Sequence, residues 1–409
     1  LKVLRPTVTH DVNAIVALYR PGPMAFIPEY IQRKRDPSRV KYLDPRMEQI
    51  LKPTYGVLIY QDDVMMIAVE LAVYSWGEAD KLRKAMGKKI PAEMQAQKDR
   101  FIQGCVERGM KPVVVQELWQ QIETFAAYGF NKAHAARYGN LAYKTAYMKA
   151  NFPVDYMAAV LTADAGDVEK IAEVVAECNR MKLTVRPPSI NHSRGTFTVS
   201  DDKTIQFGLY SIKNFGTGVG DSIIAERDKN GPFTSVADFV MRVADKNLNK
   251  KSLEALIMTG ALDEFAERNT LLGNLETLLT QHREHHRAPS DQHSLFGAPA
   301  AATTDIPLKP FPPATQDQKL KWEKELLGYY ISGHPLDKHR AVLDKQKMNL
   351  KTAKESFPRG LETVIAGFLE TTKPLLTKKG DKMLFGTVSD YSSDIEIVVF
   401  PRTLEESAG

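Results

Sequence analysis

A chain of 409 residues, 43% of them hydrophobic, is long enough for two to four domains with apolar cores, and none of its apolar runs could span a membrane. Its net charge of +5 permits nucleic-acid binding without requiring it. The two cysteines, Cys105 and Cys178, stand far apart, which excludes a disulfide framework and a zinc site and favours a reducing compartment. We expect no signal peptide and no membrane partner.

The amino-terminal part of the chain mixes turns with one strongly apolar helix. Prolines at 21, 23, 28 and 37 predict loops and short helices, and the basic triplet at 33–35 is typical of a solvated turn. Apolar residues at 64, 67, 68, 71 and 72 then predict a helix with one buried face.

Two adjacent carboxylates, Asp62 and Asp63, begin this helix. They are possible metal ligands, but neighbouring side chains on a helix point about 100° apart and converge poorly on one ion. Acidic residues also suit the positive end of a helix. We therefore predict that both stabilise the start of the helix.

A basic cluster follows in EADKLRKAMGKK, residues 78–89. The pattern predicts a short helix that stops at Gly87, with Arg83, Lys84, Lys88 and Lys89 crowded at its end. Basic residues at this position either complement the helix dipole or bind a polyphosphate, and the cluster alone does not separate the two.

A second basic cluster lies in YGFNKAHAARY, residues 128–138, where a long helix begins. Asn131 is a suitable N-cap, and Lys132 and His134 fall in the first turn. Because a helix N-terminus is already positive, a lysine there is disfavoured unless an anion is present. The two clusters together suggest a polyphosphate site, whereas Lys132 alone is equally compatible with a solvent-facing side chain.

Residues 91–125 and 133–150 have amphipathic helical patterns. The residues of the first stretch that we predict in the core are Phe101, Val106, Leu118, Trp119, Ile122 and Phe125. Aromatic residues at helical spacing usually enter a core, which predicts burial of Tyr138, Tyr143 and Tyr147. Tyr138, close to the start of its helix, could instead flank a bound nucleotide.

Residues 155–183 predict two more helices, and the segment that follows alternates as short strands. FGLYSIKNFGTGVGDSIIAERDKNG then resembles a helix-hairpin-helix, in which Gly216 and Gly218 permit positive φ and a close approach of backbone amides to a phosphate near Lys213. Asn214 stands where many versions have glycine, and asparagine tolerates the left-handed conformation next best. An ordinary glycine turn is equally compatible with this spacing.

Further along, Lys250 and Lys251 precede a predicted helix that ends at Gly260.

Residues 281–318 are rich in Pro, Ala, Thr and His and predict a linker. Its histidines are His282, His285 and His286. They are typical of a solvated polar face, because no second group of metal ligands accompanies them. Further along, QHSLF places the apolar pair Leu295 and Phe296 after Gln292, and an apolar pair that nothing local buries is conspicuous.

These motifs resemble one family, the alpha subunit of bacterial DNA polymerase III, a C-family replicative polymerase. The resemblance rests on RPGPM (20–24), TYGVLIYQDDVMMIA (54–68), EADKLRKAMGKK and YGFNKAHAARYGNLAYKTAYMKANFP, in the family's order. LKWEKELLGYYISGHPLDKHR is also similar to a family signature, and QHSLF resembles the motif by which these polymerases bind the sliding clamp. Two departures stand out: Asp62-Asp63 replaces a usual Glu-Gln, and Val73 replaces a typical glycine, which we expect to tighten local packing.

The resemblance implies a mainly α, multidomain fold with a C-terminal β barrel of the OB type that is incomplete here. The expected domains are fingers at 1–200, a helix-hairpin-helix DNA-binding and clamp-binding domain at 201–280, the linker at 281–318, and a connecting helix with a partial OB domain at 319–409. In that barrel, LTKKGDKM predicts a basic hairpin suited to single-stranded DNA, although a solvated turn is equally compatible. Because the first residue is Leu and the last segment stops within this domain, we expect a fragment of a longer chain.

The resemblance also implies template-directed addition of deoxynucleotides to a primer 3′ end, with Mg²⁺ held by palm aspartates. The sequence has no such acidic motif, so we expect the isolated chain to bind no metal and to be inactive. The residues implied for the incoming triphosphate are Arg83, Lys84, Lys88, Lys89, Asn131, Lys132 and His134. Those implied for DNA are Lys213, Gly216, Gly218, Lys250, Lys251, Lys378 and Lys379, and those for the clamp are Gln292, Leu295 and Phe296. The expected partners are primer-template DNA, deoxynucleotide triphosphates, the sliding clamp and other replicase subunits, in the bacterial cytoplasm at the nucleoid.

Two other classes of function stay open at this point. One is a non-enzymatic DNA-binding module built from hairpin and OB parts, and the other is a protein-interaction scaffold without a nucleotide site. Nucleotide binding by residues 1–200 would separate a polymerase from both, and salt-dependent DNA binding would separate the second class from the third.

Overall fold

The computed structural model describes residues 1–21, 23–88, 91–126, 129–287, 306–345, 348–358, 360, 362–377 and 380–407. The chain forms two compact units, Leu1–Pro153 (unit 1) and Val154–Gly409 (unit 2). Both are mainly helical, and the strands described all lie in unit 2. This confirms the predicted fold class, mainly α with β structure at the C-terminus.

Unit 1 is built from helices joined by short turns. They are α1 (Thr9–Leu18), α2 (Ile27–Arg35), α3 (Glu48–Leu51), α4 (Gln61–Ala72), α5 (Trp76–Lys88), α6 (Pro91–Glu107), α7 (Pro112–Ala126) and α8 (Lys132–Asn151). The predicted apolar face of α4 is buried, and it packs with α5, α6 and α7 around Phe101 and Trp119. Of the core residues predicted in 91–125, only Val106 is wrong, since it is exposed near the end of α6.

Two further predictions in unit 1 are wrong. Gly87 does not stop α5, which continues through it to Lys88, and Gly87 does not have the positive φ with which a glycine commonly ends a helix. The tyrosines of α8 are not in the core: Tyr138, Tyr143 and Tyr147 are each about half exposed. α8 packs on α1 at Gly139, which lies so close to Asn13 that a Cβ would clash.

Unit 2 begins with α9 (Pro153–Ala163), which starts at the last residue of unit 1, and α10 (Val168–Arg180). A small sheet follows, made of β1 (Thr184–Arg186), β2 (Thr198–Asp201) and β3 (Thr204–Gln206). Its order is β1-β3-β2, with β1 parallel and β2 antiparallel to the buried central strand β3. The predicted helices and strands of this segment are therefore present.

The helical part of unit 2 continues with α11 (Thr217–Asn230), α12 (Val236–Arg242), α13 (Lys250–Met258), α14 (Arg268–Gly273), α15 (Leu275–Arg287) and α16 (Gln316–Leu327). One apolar core runs through it, from Val154 to Tyr329. Residues 154–200 thus pack into the same core as the residues that follow them, so no division between cores lies at residue 200. The assignment of four functional domains stays a prediction.

Both described ends of the predicted linker are ordered. Residues 281–287 complete α15, and Ile306 is buried in the unit 2 core. The side chain of Asn274 exchanges two hydrogen bonds with the backbone of Lys309, at 2.8 and 3.0 Å. The prediction that His282 is solvated is wrong: only 6% of it is exposed.

The C-terminal part of unit 2 contains α17 (Arg340–Leu343), α18 (Leu350–Ser356), β4 (Phe368–Leu376), β5 (Lys382–Ser389), β6 (Asp394–Val399) and α19 (Pro401–Ser407). The three strands form an antiparallel sheet in sequence order. Glu370 of β4 joins this sheet to the region around α16, because it accepts hydrogen bonds from the Tyr330 and Ser389 hydroxyls and lies 3.4 Å from Lys324 Nζ. The three described strands are compatible with part of an OB barrel, and that assignment stays a prediction.

Candidate nucleotide and DNA interface

The start of α8 is organised by hydrogen bonds that the sequence predicts in part. Asn131 is the N-cap, and its side-chain oxygen accepts a hydrogen bond of 2.8 Å from the backbone N–H of His134. The preceding residue, Phe130, forms a short bridge with the start of α4, where the N–H of Gln61 donates to the Phe130 carbonyl at 2.9 Å. The two segments therefore begin side by side.

Two carboxylates of α4 explain the unusual position of Lys132. Its backbone N–H donates to Asp62 at 2.9 Å, and its ammonium lies 3.0 Å from Asp63. These carboxylates supply the negative charge that a lysine at a helix N-terminus needs. Asp62 and Asp63 lie in the first turn of α4, as predicted. However, Asp62 caps the start of α8, and Asp63 pairs with the side chain of Lys132.

The Lys132–Asp63 pair is asymmetric in its exposure. Asp63 is fully buried, whereas 39% of the Lys132 side chain is exposed. Burial raises the pKa of Asp63 to about 6, although Lys132 opposes the change. One oxygen of Asp63 has no hydrogen-bond partner, so the pair holds a carboxylate whose charge is only partly compensated.

A column of one guanidinium and three rings runs from the end of α1 along α8. Arg20 lies 4.6 Å from the ring centre of Phe130, Phe130 lies 5.4 Å from His134, and His134 lies 4.6 Å from Tyr138. Tyr138 is 56% exposed and ends the column at the surface. The Arg20–Phe130 contact could not be predicted from the sequence, because it joins residues more than a hundred positions apart and sequence periodicity describes only neighbouring positions.

The basic cluster of α5 shares a single carboxylate. Asp80 lies 2.7 Å from Arg83 Nη2 and 2.8 Å from Lys84 Nζ. Lys84 and Arg83 together hold the pKa of Asp80 below its usual value. Lys88 is the last described residue of the helix, and Lys89 lies outside the described residues. One carboxylate for several cations leaves this surface positively charged.

The two basic clusters are not in direct contact. Among the described residues of unit 1, no hydrogen bond or ion pair joins Arg83 or Lys84 to Asn131, Lys132 or His134. They are linked through α4, which packs against α5 and whose first turn caps α8. A ligand that uses both clusters would have to bridge them.

In unit 2 the predicted hairpin is present, with one change. Asn214 adopts the left-handed conformation, at φ 69°, as its place in the motif predicts. Gly216 and Gly218 do not have positive φ: Gly216 is the N-cap of α11 and Gly218 lies in its first turn. A Cβ added at either glycine meets no atom within 4 Å, so both stand beside open space over exposed backbone. Lys213 is exposed next to them.

Only some of the other residues predicted to contact DNA lie in the described part of the chain. Lys250 and Lys251 are exposed in the first turn of α13, and Lys250 Nζ lies 3.5 Å from Glu276. Lys378 and Lys379 lie outside the described residues, as do Gln292, Leu295 and Phe296. Among the described residues there is no group of three or more side chains that could hold a metal ion, and none of their helices is both long and apolar enough to cross a membrane.

Comparison with known proteins identifies the family. The sequence profile of the bacterial DNA polymerase III alpha subunit finger domain matches residues 1–109, and that of a helix-hairpin-helix motif matches residues 182–271. Over 99% of its length the chain is 40% identical to the DNA polymerase III subunit alpha of Borreliella burgdorferi, of which it covers 36%. It is 39% identical to that of Thermus aquaticus and 37% identical to that of Pseudomonas aeruginosa, over 98% of the chain and 33% and 36% of those proteins.

The chain belongs to the DNA polymerase III alpha subunit family. It spans about a third of the length of the curated relatives it matches. The finger-domain profile covers RPGPM, the adjacent carboxylates and the basic cluster of α5, whereas the start of α8 lies beyond it. The helix-hairpin-helix profile covers the left-handed Asn214, both open glycines and the start of α13.

Proposed function

We propose that this chain is the part of a replicative DNA polymerase III alpha subunit that holds the incoming nucleotide and the DNA. The whole enzyme would add deoxynucleotides to a primer 3′ end in template order. The observation that carries the proposal is the convergence of separate family motifs at the start of α8, where Arg20 stacks on Phe130 and α4 caps the helix. Such convergence is expected of a binding site, and Phe130 also packs against the apolar cluster that contains Tyr60 and Ala135.

The triphosphate would lie on the basic surface of α5. Arg83 and Lys84 would contact its oxygens, because they share only Asp80 and an arginine fork suits a bidentate phosphate contact. Lys88 and Lys89 would add further positive charge. Asn131, Lys132 and His134 would complete the pocket, and the exposed ring of Tyr138 offers a surface on which a base or sugar could stack.

Mg²⁺ does not fit the carboxylates described here. Asp62 accepts a backbone hydrogen bond, and Asp63 is buried against Lys132, so the pair cannot converge on one ion. We therefore propose that this chain binds and positions substrates, and that the metal-binding aspartates of the enzyme belong to residues outside this sequence. The isolated chain would then be inactive.

The hairpin residues of unit 2 would hold duplex DNA through its phosphates. Lys213 and the open backbone at Gly216 and Gly218 would form one contact, and Lys250 and Lys251 a second. Lys378 and Lys379 would approach single-stranded DNA. Gln292, Leu295 and Phe296 would bind the sliding clamp, and the enzyme would act with other replicase subunits at the bacterial nucleoid.

The experiment is steady-state kinetics on the full-length polymerase that contains this chain. Arg83→Ala should raise the KM for deoxynucleotide roughly tenfold or more while leaving the affinity for primer-template within about twofold, because a charged hydrogen bond to phosphate is lost. Lys144→Ala, which removes an exposed cation from α8, is the matched control and should change neither value. Equal effects of Arg83→Ala on nucleotide and on DNA would make the arginine structural. The alternative, a non-enzymatic DNA-binding module, would be favoured if the isolated chain binds DNA but no deoxynucleotide triphosphate.

A further inference from the structure

A cavity of about 610 Å³ lies in unit 2, where the loop between α12 and α13 faces α15. Its apolar lining includes Leu248 and Leu279, and its cations are Lys246, Lys250 and Arg283. This volume is typical of pockets that hold small organic ligands, in which a few polar groups orient a ligand over apolar walls. All the lining residues belong to unit 2.

The carboxylates that line the cavity are already engaged. Asp245 accepts a hydrogen bond on each of its oxygens, from the backbone N–H of Asn247 and the Ser222 hydroxyl, both at 2.8 Å. Glu276 lies 3.5 Å from Lys250. No carboxylate in the described part of unit 2 pairs with Lys246 or Arg283, and Arg283 donates only to the Leu279 carbonyl and the Thr280 hydroxyl. Because the cavity has three cations and two carboxylates, it keeps a net positive charge for a ligand, although Asp245 partly offsets the charge of Lys246.

A buried histidine lies against the cavity. His282 Nδ1 lies 2.9 Å from the Val240 carbonyl oxygen, and Nε2 lies 3.2 Å from that of Asp245. The ring centre of His286, which also lines the cavity, is 4.7 Å away. Two imidazole rings therefore line the cavity beside its cations.

We propose that this cavity binds the phosphate group of an organic ligand of nucleotide size. Lys246 and Arg283 would contact the phosphate oxygens, since arginine offers two parallel N–H donors and lysine a mobile charge. Leu248 and Leu279 would pack against the organic part. A free nucleotide and a phosphodiester of DNA share this chemistry, and the test separates them. The proposal does not depend on nucleotide binding at α5 and α8.

The test is isothermal titration calorimetry on the whole chain, with deoxyadenosine monophosphate and a short DNA duplex as separate probes. The double change Lys246→Gln, Arg283→Gln should weaken monophosphate binding roughly tenfold or more, because two charged contacts are lost. Glu276→Gln should strengthen it about threefold by releasing Lys250. The control Lys203→Gln, Lys229→Gln removes the same charge from exposed positions elsewhere in unit 2 and should stay within about twofold.

The two probes distinguish a free nucleotide from a phosphodiester of DNA. If only the duplex binds, and the cavity variant weakens it tenfold while the control does not, the phosphate is that of DNA and the site stands. If both probes bind the cavity variant as tightly as the unchanged chain, or if the control loses as much affinity, the proposal is overturned. Lys246 and Arg283 are both exposed, so the cavity variant should keep its thermal unfolding curve, and Glu276→Gln tests the site by a gain in affinity that misfolding cannot produce.

Discussion

Val73 is strained by the backbone conformation that the fold imposes on it. It ends α4 in the left-handed conformation, at φ 58°, and 47% of it is exposed. The sequence-based expectation that it tightens local packing is therefore wrong, since a β-branched side chain is strained at positive φ and gains little from packing here. The glycine typical of the family suits this position better because it has no Cβ.

Val73→Gly should raise the free energy of unfolding by roughly 0.5–1 kcal/mol, as relief of strain outweighs the added flexibility of the unfolded chain. Denaturant unfolding of the whole chain measures this, followed by the fluorescence of Trp119 in the core of unit 1 after Trp76→Phe and Trp322→Phe. Val113→Gly is the matched control, because Val113 is exposed and helical in α7. That substitution should lower stability by about 0.5 kcal/mol. A loss of stability at both positions would show that φ at Val73 carries no strain.

Asp63 predicts a pH dependence with a definite sign. Its pKa rises from 3.8 to about 6 on folding, so the folded chain holds a proton that the unfolded chain releases between these values. The stabilisation is complete below pH 4 and is lost as the pH rises to 6. Relative to Asp63→Asn, which does not titrate, the unchanged chain should lose on the order of 2 kcal/mol of unfolding free energy across this window.

The comparison requires Trp119 as the only tryptophan, through Trp76→Phe and Trp322→Phe, so that the signal reports on unit 1. Asp80→Asn is a control of opposite sign. Because the pKa of Asp80 is lowered by Lys84 and Arg83, the unchanged chain should gain stability relative to that variant as the pH rises through the acidic range. A difference curve for Asp63→Asn that is flat between pH 4 and 6 would contradict the buried carboxylate.

At the scale of elements, different residues of the hairpin before α11 set its backbone conformation and leave its backbone open to a ligand. Asn214 carries the left-handed turn, while the two glycines leave the exposed backbone uncovered. The backbone N–H of Lys213 also donates to the Leu326 carbonyl at 3.0 Å, which anchors the hairpin to α16. The turn is therefore fixed by the fold, and the backbone at the two glycines stays accessible to a phosphate group.

Gly216→Val with Gly218→Val should abolish duplex binding by this hairpin, because the added side chains occupy the space through which a phosphate would approach. Thermal unfolding should stay nearly unchanged, since neither glycine has positive φ. Asn214→Gly keeps the left-handed turn and should retain binding. Affinity measured against salt concentration provides the readout, because phosphate contacts give a steep negative slope. If the double valine variant binds as tightly and with the same slope, the hairpin is an ordinary turn.

For the whole molecule, the segment between α15 and α16 is proposed to connect the polymerase to its clamp. Leu295 and Phe296 would each contribute roughly 1.5–3 kcal/mol by burial in an apolar pocket, and Gln292 would add a directional hydrogen bond. The cost of ordering a peptide leaves such a contact weak by itself, on the order of micromolar. Simultaneous binding of the same duplex by polymerase and clamp raises the effective concentration.

Leu295→Ala with Phe296→Ala should remove clamp-stimulated long synthesis by the full-length polymerase while leaving short primer extension unchanged. A clamp pull-down and a primer-extension assay with and without clamp measure the two effects. His293→Ala with Ser294→Ala, within the same five residues, is the matched control and should retain stimulation. A pull-down that is indifferent to the first double change would show that the motif is a chance match.

The sequence by itself determined the helices, the N-cap at Asn131, the left-handed Asn214 and the family, because each depends on neighbouring residues or on motifs in order. The buried face of α4 follows from its 3.6-residue period alone. Sequence periodicity cannot show which charged side chain pairs with a residue from an element far away in the chain.

Only the tertiary structure decided those pairings. It placed Asp63 beside Lys132, Arg20 against Phe130, and His282 between two backbone carbonyls. It also left the tyrosines of α8 about half exposed. Each outcome depends on how elements far apart in the chain pack, and burial then sets whether a charge is hydrated or must find a counter-charge. A local pattern describes one element at a time, so it carries no information about the surface that the element meets.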